Sequence, residues 1–345
     1  MVTGGAGFIG SNLLLHLVGK YPQTSFVNVD ALTYAGNLSN LTDIETASNY
    51  CFERLDICDF DGLRDCFDRH DFDAVIHLAA ESHVDRAILG PAPFISTNVV
   101  GTFHLLELAR RTAESSRPMR LVHVSTDEVY GSLGETGRFN EDSPHSPNSP
   151  YSASKAAADH LVRAYRKTYG LDVVTTNCSN NYGPYQHPEK LIPLVIRNAM
   201  AGETIPVYGD GRQVRDWLYV RDHCEALDLA LHGGKAGRTY TVGGNAEMRN
   251  IDLVKLLCRL LQQMTGQSGL AELIKFVEDR PGHDRRYAID ASRITGELGW
   301  KARHTLEAGL ESTIRWYLDH RDWLESCISG EYLKYYEANY GGRVN

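Results

Sequence analysis

The sequence predicts an α/β fold built around a doubly wound parallel sheet, and two observations support this prediction. Through the first half of the chain, short apolar runs typical of buried strands alternate with longer stretches typical of helices. A glycine-rich turn stands near the start, where a first strand would lead into a helix. Parallel strands joined by crossover helices form such a fold.

The strands and helices of the first half follow one another in a regular order. The strand candidates are rich in β-branched and apolar residues and lie at 26–30, 74–79, 121–125 and 171–176. The helix candidates between them lie at 11–18, 61–69, 94–112 and 152–169. Residues 141–150 are rich in Pro, Ser and Asn and predict a loop, with Pro150 at the start of the last helix.

The second half has a looser pattern. Prolines and glycines divide it into short elements from about Asn180 onward, and helices are predicted at 250–264 and toward Trp316. We therefore predict a dinucleotide-binding domain at 1–179, to which later segments can return. Residues 180–345 are predicted to form mainly a smaller α/β substrate-binding domain.

Composition excludes several classes of protein. The chain has 345 residues, a net charge of -9 and no block of like charges, so a nucleic-acid partner is not expected. No apolar run approaches the roughly 20 residues of a membrane-spanning helix, and no signal-peptide pattern is present. The seven cysteines are scattered without a Cys-x-x-Cys pair, which predicts reduced thiols and a cytoplasmic location. Asp222-His223-Cys224 is the nearest approach to a metal motif, but adjacent residues seldom bind one ion, and no metal is expected.

The glycine-rich turn predicts a cofactor site. Gly4, Gly7 and Gly10 would let the backbone approach a pyrophosphate at a helix N-terminus. Asp30 follows Gly10 by twenty residues, at the end of the next strand, where its carboxylate would bind ribose hydroxyls. That carboxylate would repel a 2'-phosphate, so the pattern favours NAD over NADP on a Rossmann-type domain. The alternative is a structural turn beside a surface aspartate.

The first strand is short. Only Met1-Val2-Thr3 precede the glycines, fewer residues than a central strand usually has. We expect that the natural chain begins a few residues earlier.

Tyr151 and Lys155 lie four residues apart on a predicted helix and so share one face. The lysine charge and an oxidised nicotinamide would both favour the tyrosine phenolate, which could then take a proton from a substrate hydroxyl. Thr126, at the end of the preceding strand, could hydrogen-bond the same oxygen. A helix with an exposed Tyr and Lys remains the alternative.

Asp127 and Glu128 directly follow Thr126. Neighbouring residues of a strand point to opposite faces, so both carboxylates reach one pocket only if the strand ends there and the chain turns. Carboxylates in unlike environments have separated pKa values, and one can act as acid while the other acts as base. In the alternative, Glu128 is solvated and Asp127 caps a turn.

Several longer motifs carry a family resemblance. They lie at 79–85, 125–131, 149–155, 177–185, 189–193, 215–217 and 279–284. With the glycine turn, they make the chain, from Val2 to about Tyr340, resemble the extended short-chain dehydrogenase/reductases, and among them the dTDP-glucose 4,6-dehydratases.

The resemblance implies a reaction and assigns catalytic roles. Tyr151 would deprotonate the 4-hydroxyl of the glucosyl unit while NAD oxidises C4. Glu128 would remove the C5 proton, and Asp127 would protonate the departing C6 hydroxyl. Reduction at C6 and reprotonation at C5 would leave a 4-keto-6-deoxy sugar nucleotide and regenerate NAD. Lys155 and Thr126 would assist Tyr151.

The resemblance also implies two binding sets and a homodimer. The NAD set is Gly4, Gly7, Phe8, Ile9, Gly10, Asp30, Leu32, Thr33, Asp56, Ile57, Leu78, Ala79, Ala80, Ser82, Thr97, Tyr151, Lys155 and Asn181. The nucleotide-sugar set is Ser82, Thr126, Asn180, Lys190, Leu191, Pro206, Tyr208, Arg215, Asn250, Arg280, His283 and Tyr340. Arg215 and Arg280 suit a pyrophosphate, although a surface ion pair is the alternative for each. The dimer would pair the helix at 94–112 with the helix that follows Tyr151.

Four other functions fit parts of the pattern. UDP-glucose 4,6-dehydration differs only by one methyl of the base. A sugar-nucleotide 4-epimerase would keep Thr126, Tyr151 and Lys155 but would not need both acids. A non-catalytic dinucleotide sensor should have lost Tyr151 or Lys155, and GDP-mannose dehydration would favour NADP.

Overall fold

The computed structural model describes residues 1–115, 117, 119–328, 332, 334 and 336. Its strands are Val2–Thr3 (β1), Phe26–Asp30 (β2), Tyr50–Arg54 (β3), Ala74–His77 (β4), Arg120–Thr126 (β5), Asp172–Cys178 (β6), Asn180–Tyr182 (β7), Ile205–Tyr208 (β8), Val214–Tyr219 (β9), Thr239–Val242 (β10), Glu247–Arg249 (β11) and Ile274–Val277 (β12).

The α-helices of the described residues are Phe8–Lys20 (α1), Phe60–Arg69 (α2), Val84–Leu89 (α3), Ala92–Ile95 (α4), Thr102–Glu114 (α5), Pro150–Tyr169 (α6), Leu191–Ala201 (α7), Val220–Gly233 (α8), Asn250–Thr265 (α9), Ser292–Leu298 (α10), Leu306–Asp319 (α11) and Arg321–Ser326 (α12). A π-helical stretch at Ser96–Gly101 joins α4 to α5. Short 3-10 turns lie at Leu38–Ile44, Asp127–Tyr130 and Leu270–Leu273.

The central sheet confirms the predicted fold class. Within the described residues it has seven parallel strands in the order β10-β6-β5-β4-β1-β2-β3. The order reverses at β1, and in such a sheet the crevice beyond the strand carboxyl ends is where ligands bind. One core packs α1 and α8 with the sheet, and another packs α2, α5 and α6 with it.

The predicted strands and helices of the first half are present, with end shifts of a few residues. The helix predicted at 94–112 is instead α4, the π-helical stretch and α5 in succession. The sequence prediction missed β3, whose residues are only partly buried or exposed because it is the edge strand. β1 has two residues and still pairs on both sides, Val2 with Asn28 of β2 and with Ile76 of β4.

The segments after residue 180 contribute to both parts of the molecule. α8 and β10 return to the central sheet, where Thr239–Val242 pairs with β6. The remaining segments form a three-stranded sheet in the order β11-β9-β7 and a pair β12-β8. A separate core joins these strands to α7, α9 and α11. Among the described residues, no helix has the length and apolar character needed to cross a bilayer.

Candidate active site

The turn between β1 and α1 brings backbone close to the sheet edge. Gly4 has φ +71°, which favours glycine, and a Cβ on Gly10 would lie 2.2 Å from the Gly4 carbonyl oxygen. Gly7 is the N-cap of α1 and has no side-chain cap. The first amides of α1 therefore remain available to a negatively charged group, which is the arrangement that suits a pyrophosphate.

Asp30 lies at the end of β2, beside this turn. Its Oδ2 accepts a hydrogen bond from the Ala6 amide at 2.9 Å, and its Oδ1 accepts one from the Leu32 amide at 2.8 Å. Burial raises the pKa of the Asp30 carboxyl, while these two amides oppose the rise. The carboxylate is thus fixed in the pocket wall, where it can accept hydrogen bonds from ribose hydroxyls and would repel a phosphate.

The nucleotide pocket, a cavity of about 320 Å³, extends from the glycine turn along the carboxyl ends of the strands. Every residue of the predicted NAD set lines it except Leu32, whose backbone turns at φ +55° while its amide binds Asp30. Lining residues that the sequence prediction missed are Val29, Ala31, Ala35, Gly36, Leu55, Glu81, Val124, Ser125, Cys178, Ser179, Gln186, His187 and Glu189.

Tyr151 and Lys155 lie in the first turns of α6. Ser149 and Ser152 form a capping box, and Pro150 occupies the first turn, so the start of α6 is fixed by local sequence. Both functional side chains are buried yet line the nucleotide pocket. The Lys155 ammonium donates a hydrogen bond to the Val124 carbonyl oxygen at 2.9 Å, which ties α6 to β5.

The protein alone does not favour the tyrosine phenolate. Burial raises the pKa of Tyr151 well above its usual value, the nearby Glu128 carboxylate adds to the rise, and the Thr126 hydroxyl opposes it. Burial also lowers the pKa of the Lys155 ammonium, which Asp159 opposes. Ionisation of Tyr151 therefore needs a further positive charge in the pocket, such as an oxidised nicotinamide.

The turn predicted after Thr126 is present. β5 ends at Thr126, and the 3-10 turn Asp127–Tyr130 follows, with the Thr126 hydroxyl accepting the Glu128 amide at 3.3 Å. Gly131 then has φ +84°, and a Cβ there would lie 2.3 Å from the Ser146 carbonyl oxygen. Because of this turn, Asp127 and Glu128 both line the pocket that Tyr151 lines.

The two carboxyl groups have unlike surroundings. The pKa of Asp127 is raised well above its usual value by burial, then by the Glu128 and Asp216 carboxylates. Burial raises the pKa of Glu128 as well, but Arg280, Arg215 and Lys190 oppose it. Asp127 is therefore suited to hold a proton and Glu128 to be the anion, which is an acid and a base side by side.

A second, sugar-side pocket of about 160 Å³ adjoins the first. Glu128, Asn180, Glu189 and Lys190 line both. The predicted substrate residues that line the sugar-side pocket are Asn180, Lys190, Leu191, Pro206, Tyr208, Arg215, Asn250, Arg280 and His283. Ser82 and Thr126 line the nucleotide pocket instead, and Tyr340 lies outside the described residues.

The two arginines differ in their partners. Arg215 donates to the backbone carbonyl oxygens of Val214 at 2.8 Å and Asp284 at 3.0 Å, and its guanidinium lies over the Tyr287 ring. Arg280 donates to the Asp85 carboxylate at 3.0 Å, yet its buried Nε has no hydrogen-bond partner among the described residues. Arg280 is thus in a partly buried ion pair, not the surface ion pair that the sequence left as an alternative, and its Nε retains a donor for an anionic ligand.

Further residues of the sugar-side pocket were not predicted individually. His83, Val84, Asp85, Glu189, Leu194, Val207 and Trp217 line it. Glu189 accepts a hydrogen bond from Nε of Arg86 at 3.1 Å. Asp85 and Glu189 lie inside the motifs at 79–85 and 189–193, so their segments could be recognised, but sequence alone did not indicate their contacts.

The Asp222-His223-Cys224 run has a structural role. The Asp222 carboxylate accepts the amides of Arg303 at 3.1 Å and His304 at 3.0 Å, while His223 and Cys224 are buried. Within the described part of the chain, one group has metal-ligand spacing, Glu53, Cys66 and His70. Its carboxylate is already bonded to His70 and Arg69. All seven cysteines are free.

Comparison with known proteins agrees with this geometry. A family model described as GDP-mannose 4,6 dehydratase matches residues 1–313. A curated dTDP-glucose 4,6-dehydratase of Xanthomonas campestris pv. campestris is 55% identical over 340 residues, covering 96% of each chain. The structure of the dTDP-glucose 4,6-dehydratase DesIV of Streptomyces venezuelae with NAD and TYD bound is 46% identical, with a TM-score of 0.88, and covers 94% of this chain and 98% of that chain.

A more distant structure shares the fold. The UDP-glucose 4-epimerase of Thermotoga maritima, solved with UDP-glucose, is 28% identical with a TM-score of 0.82, and covers 92% of this chain and 98% of that chain. The epimerase likeness is weaker in sequence than the dehydratase likeness. The chain therefore belongs to the dTDP-glucose 4,6-dehydratase family.

Proposed function

We propose that the protein is an NAD-dependent hydro-lyase that converts dTDP-glucose to dTDP-4-keto-6-deoxyglucose. The observation that carries this proposal is the position of Asp127 and Glu128, which line the same pocket as Tyr151 and Lys155. One pocket thus holds a redox pair and an acid–base pair. The relatives with this name, at 51–55% identity, support the same activity.

The nucleotide pocket fits NAD. The glycine turn leaves no room for a Cβ at Gly4 or Gly10, and the uncapped start of α1 suits a pyrophosphate. Asp30 would hold the adenosine ribose and disfavour NADP. The chemistry that bound NAD supplies is a reversible two-electron oxidation, carried out at C4 and reversed at C6 of the sugar.

Tyr151 and Thr126 act at the C4 oxygen. The Tyr151 phenolate takes the proton of the 4-hydroxyl, and the Thr126 hydroxyl donates a hydrogen bond to the same oxygen. Lys155 supplies the charge that helps Tyr151 to ionise. The resulting 4-ketone makes the C5 hydrogen acidic.

Glu128 and Asp127 then remove water. The Glu128 carboxylate takes the C5 proton, because Arg280, Arg215 and Lys190 favour its ionised form against the burial that raises its pKa. Asp127 protonates the departing C6 hydroxyl, and its buried Oδ2 has no partner among the described residues, so it can meet that oxygen. Return of the proton from Glu128 to C5 restores Glu128. The proton that Tyr151 took from the 4-hydroxyl replaces the one that Asp127 gave to the departing water, so the net change is the loss of one water.

The sugar-side pocket holds the nucleotide diphosphate. Arg215 and Arg280 suit the pyrophosphate oxygens, and Lys190, Asn180 and Asn250 suit the sugar or the base. On this view, residues 1–179 mainly bind NAD and residues 180–345 mainly bind the nucleotide sugar. The central sheet takes α8 and β10 back from the second part.

A 4-epimerase is the strongest rival because it uses the same fold and redox pair. Epimerisation needs no proton transfer at C5 or C6, so it leaves Asp127 and Glu128 without a task. UDP-glucose dehydration would use the same residues. One methyl of the base changes binding by about 1–3 kcal/mol at most.

One assay separates these activities. The protein is incubated with dTDP-glucose and, separately, with UDP-glucose, without added reductant, and the product mass is followed. We expect loss of one water from dTDP-glucose with no net NADH. A product of unchanged mass and galactose configuration would replace the proposal by the epimerase, and faster turnover of UDP-glucose would replace the substrate.

We also propose a homodimer in the cytoplasm. Leu105 and Leu106 belong to the core, but Ile95, Val100 and Phe103 of the same helical run are exposed. Such a row of apolar side chains suits a second copy of the chain. Free thiols suit a reducing compartment. Light scattering of F103E should then give the monomer mass, and a dimeric F103E would argue against this face.

A further inference from the structure

A buried carboxylate lies behind the redox pair. Asp159 follows Lys155 by four residues on α6, so Tyr151, Lys155 and Asp159 share one helix face. Asp159 is 7% exposed and lines neither pocket. It is not placed to touch a substrate or a cofactor.

Asp159 is held by hydrogen bonds at both oxygens. Its Oδ1 is 3.0 Å from Nε2 of His123, and its Oδ2 accepts a bond from Nδ2 of Asn177 at 3.1 Å. The same Asn177 amide donates to the Thr126 carbonyl oxygen at 3.1 Å. The network therefore links Asp159 to the end of β5, where the catalytic turn begins.

Lys155 is a buried cation that requires a counter-charge. It is 4% exposed, and its ammonium donates a hydrogen bond to the neutral carbonyl oxygen of Val124. The titratable groups facing it from the strands are His77, His123 and Cys178. Burial lowers the pKa of both histidines and raises the pKa of the Cys178 thiol to about 12, so these three groups are neutral at pH 7.

Among the described residues, Asp159 is the remaining group whose charge favours the protonated form of Lys155, since Tyr151 is not ionised by the protein alone. Burial alone would raise the pKa of Asp159, but the bond to His123 and the charge of Lys155 lower it below its usual value. Asp159 is therefore an anion one helical turn along α6 from the lysine. The negative charge of Asp159 in turn raises the pKa of Lys155 and so opposes the lowering of that pKa by burial.

We propose that Asp159 is a positioning residue of the redox step: it is the buried counter-ion that keeps Lys155 protonated beside Tyr151. It acts through Lys155 and contacts neither substrate nor cofactor. This inference rests on the proposed dehydratase activity. Without Asp159, Lys155 loses its proton at a lower pH and ceases to favour the Tyr151 phenolate.

The test is the pH profile of kcat at saturating NAD and dTDP-glucose, for the parent and for D159N. We expect the alkaline limb of D159N to lie at least about one pH unit lower, so that the ratio of kcat at pH 9 to kcat at pH 7 falls about ten-fold. D159E, which restores the charge, should return the limb toward the parent position. A purely structural role would lower activity at all pH values without moving the limb.

Two controls keep the result interpretable. Asp172 is an ion-paired carboxylate at the start of β6, 3.1 Å from Arg120, and D172N should leave the limb in place. If D159N does not fold, the alkaline limbs of H123L and H123Q are compared instead. H123L removes a hydrogen bond that keeps Asp159 ionised and should lower the limb, whereas H123Q can retain that bond.

The outcomes are distinct. An unmoved limb in D159N, or equal limbs in H123L and H123Q where D159N cannot be folded, overturns the proposal. A parent enzyme that fails to dehydrate dTDP-glucose overturns the proposed function instead.

Discussion

The two pockets that meet at Glu128 differ in the residues that line them. The lining of the nucleotide pocket includes many glycine, alanine, serine and threonine residues at the ends of parallel strands, with the glycine turn at one end. The lining of the sugar-side pocket includes charged side chains from segments far apart in the chain, among them Asp85, Lys190, Arg215 and Arg280. We infer that added side-chain atoms weaken ligand binding in the nucleotide pocket, whereas the loss of charged groups weakens ligand binding in the sugar-side pocket.

Glu128 lies where the pockets meet, and its loss should have the largest effect. E128Q removes the base at C5 but keeps Tyr151 and Lys155, so we expect dehydration to fall about 10²- to 10⁴-fold. Oxidation at C4 should persist and be visible as NADH absorbance after substrate is added. The exposed Glu272 offers a control, because E272Q should retain activity. Dehydration by E128Q at the parent rate would contradict the role of Glu128.

Gly10 tests the backbone wall of the nucleotide pocket. In G10A, the new Cβ would lie 2.2 Å from the Gly4 carbonyl oxygen, so the turn must move. Overpacking of about 1–3 kcal/mol would weaken NAD binding by about 5- to 150-fold. Fluorescence titration with NAD measures it. Gly19, on the same helix, has no atom within 4 Å of its Cβ, so equal weakening in G19A would contradict this explanation.

Arg280 tests the charged wall of the sugar-side pocket. R280K keeps the positive charge near Asp85 but loses the planar fork that a pyrophosphate matches. We expect KM for dTDP-glucose to rise about ten-fold, with NAD affinity unchanged. Steady-state kinetics measure the KM for dTDP-glucose, and titration with NAD measures the NAD affinity. Arg285, exposed and paired with Asp210, is the matched control as R285K. A change in NAD affinity in R280K would break the comparison.

The smallest expected effect is the change in stability when Asp127 is replaced by Asn. Because its pKa is raised in the folded protein, the folded state holds this proton to a higher pH than the unfolded chain does. The contribution of the protonated Asp127 carboxyl to stability is therefore complete below its pKa in the unfolded chain. This contribution is lost as the pH rises through its pKa in the folded protein. At pH 8 the free energy of unfolding of D127N should exceed that of the parent by about 0.5–2 kcal/mol. At pH 5 the difference should be smaller. Denaturant titration at both pH values measures this, with D61N, at an exposed site, as control. A gain that is equal at both pH values would rule out the titration of Asp127 as its cause.

Local sequence predicted the elements that depend on neighbouring residues. The glycine turn needs glycine because no Cβ fits, and α6 begins where Ser149, Pro150 and Ser152 make a capping box. The turn after Thr126 was inferred because both acids could share a pocket only if β5 ended there. β3 escaped prediction, since an edge strand with partly exposed and charged residues lacks the apolar run of a buried strand. Later segments were expected to return to the first domain, but the pairing of β10 with β6 was not predicted, because strand periodicity does not say which strands pair.

The sequence by itself predicted the fold class, the redox pair and the acid pair, because each belongs to a short motif with local causes, and the family resemblance implied most residues of both pockets. Only the tertiary structure decided how the two acids differ. The Glu128 and Asp216 carboxylates raise the pKa of Asp127, with Arg215 opposing them, whereas three cations oppose the rise at Glu128, and these come from segments as distant as Lys190, Arg215 and Arg280. The tertiary structure also placed Asp159 between His123 and Asn177, behind Lys155. Charge interactions act through space, so they depend on which distant segments the fold brings together.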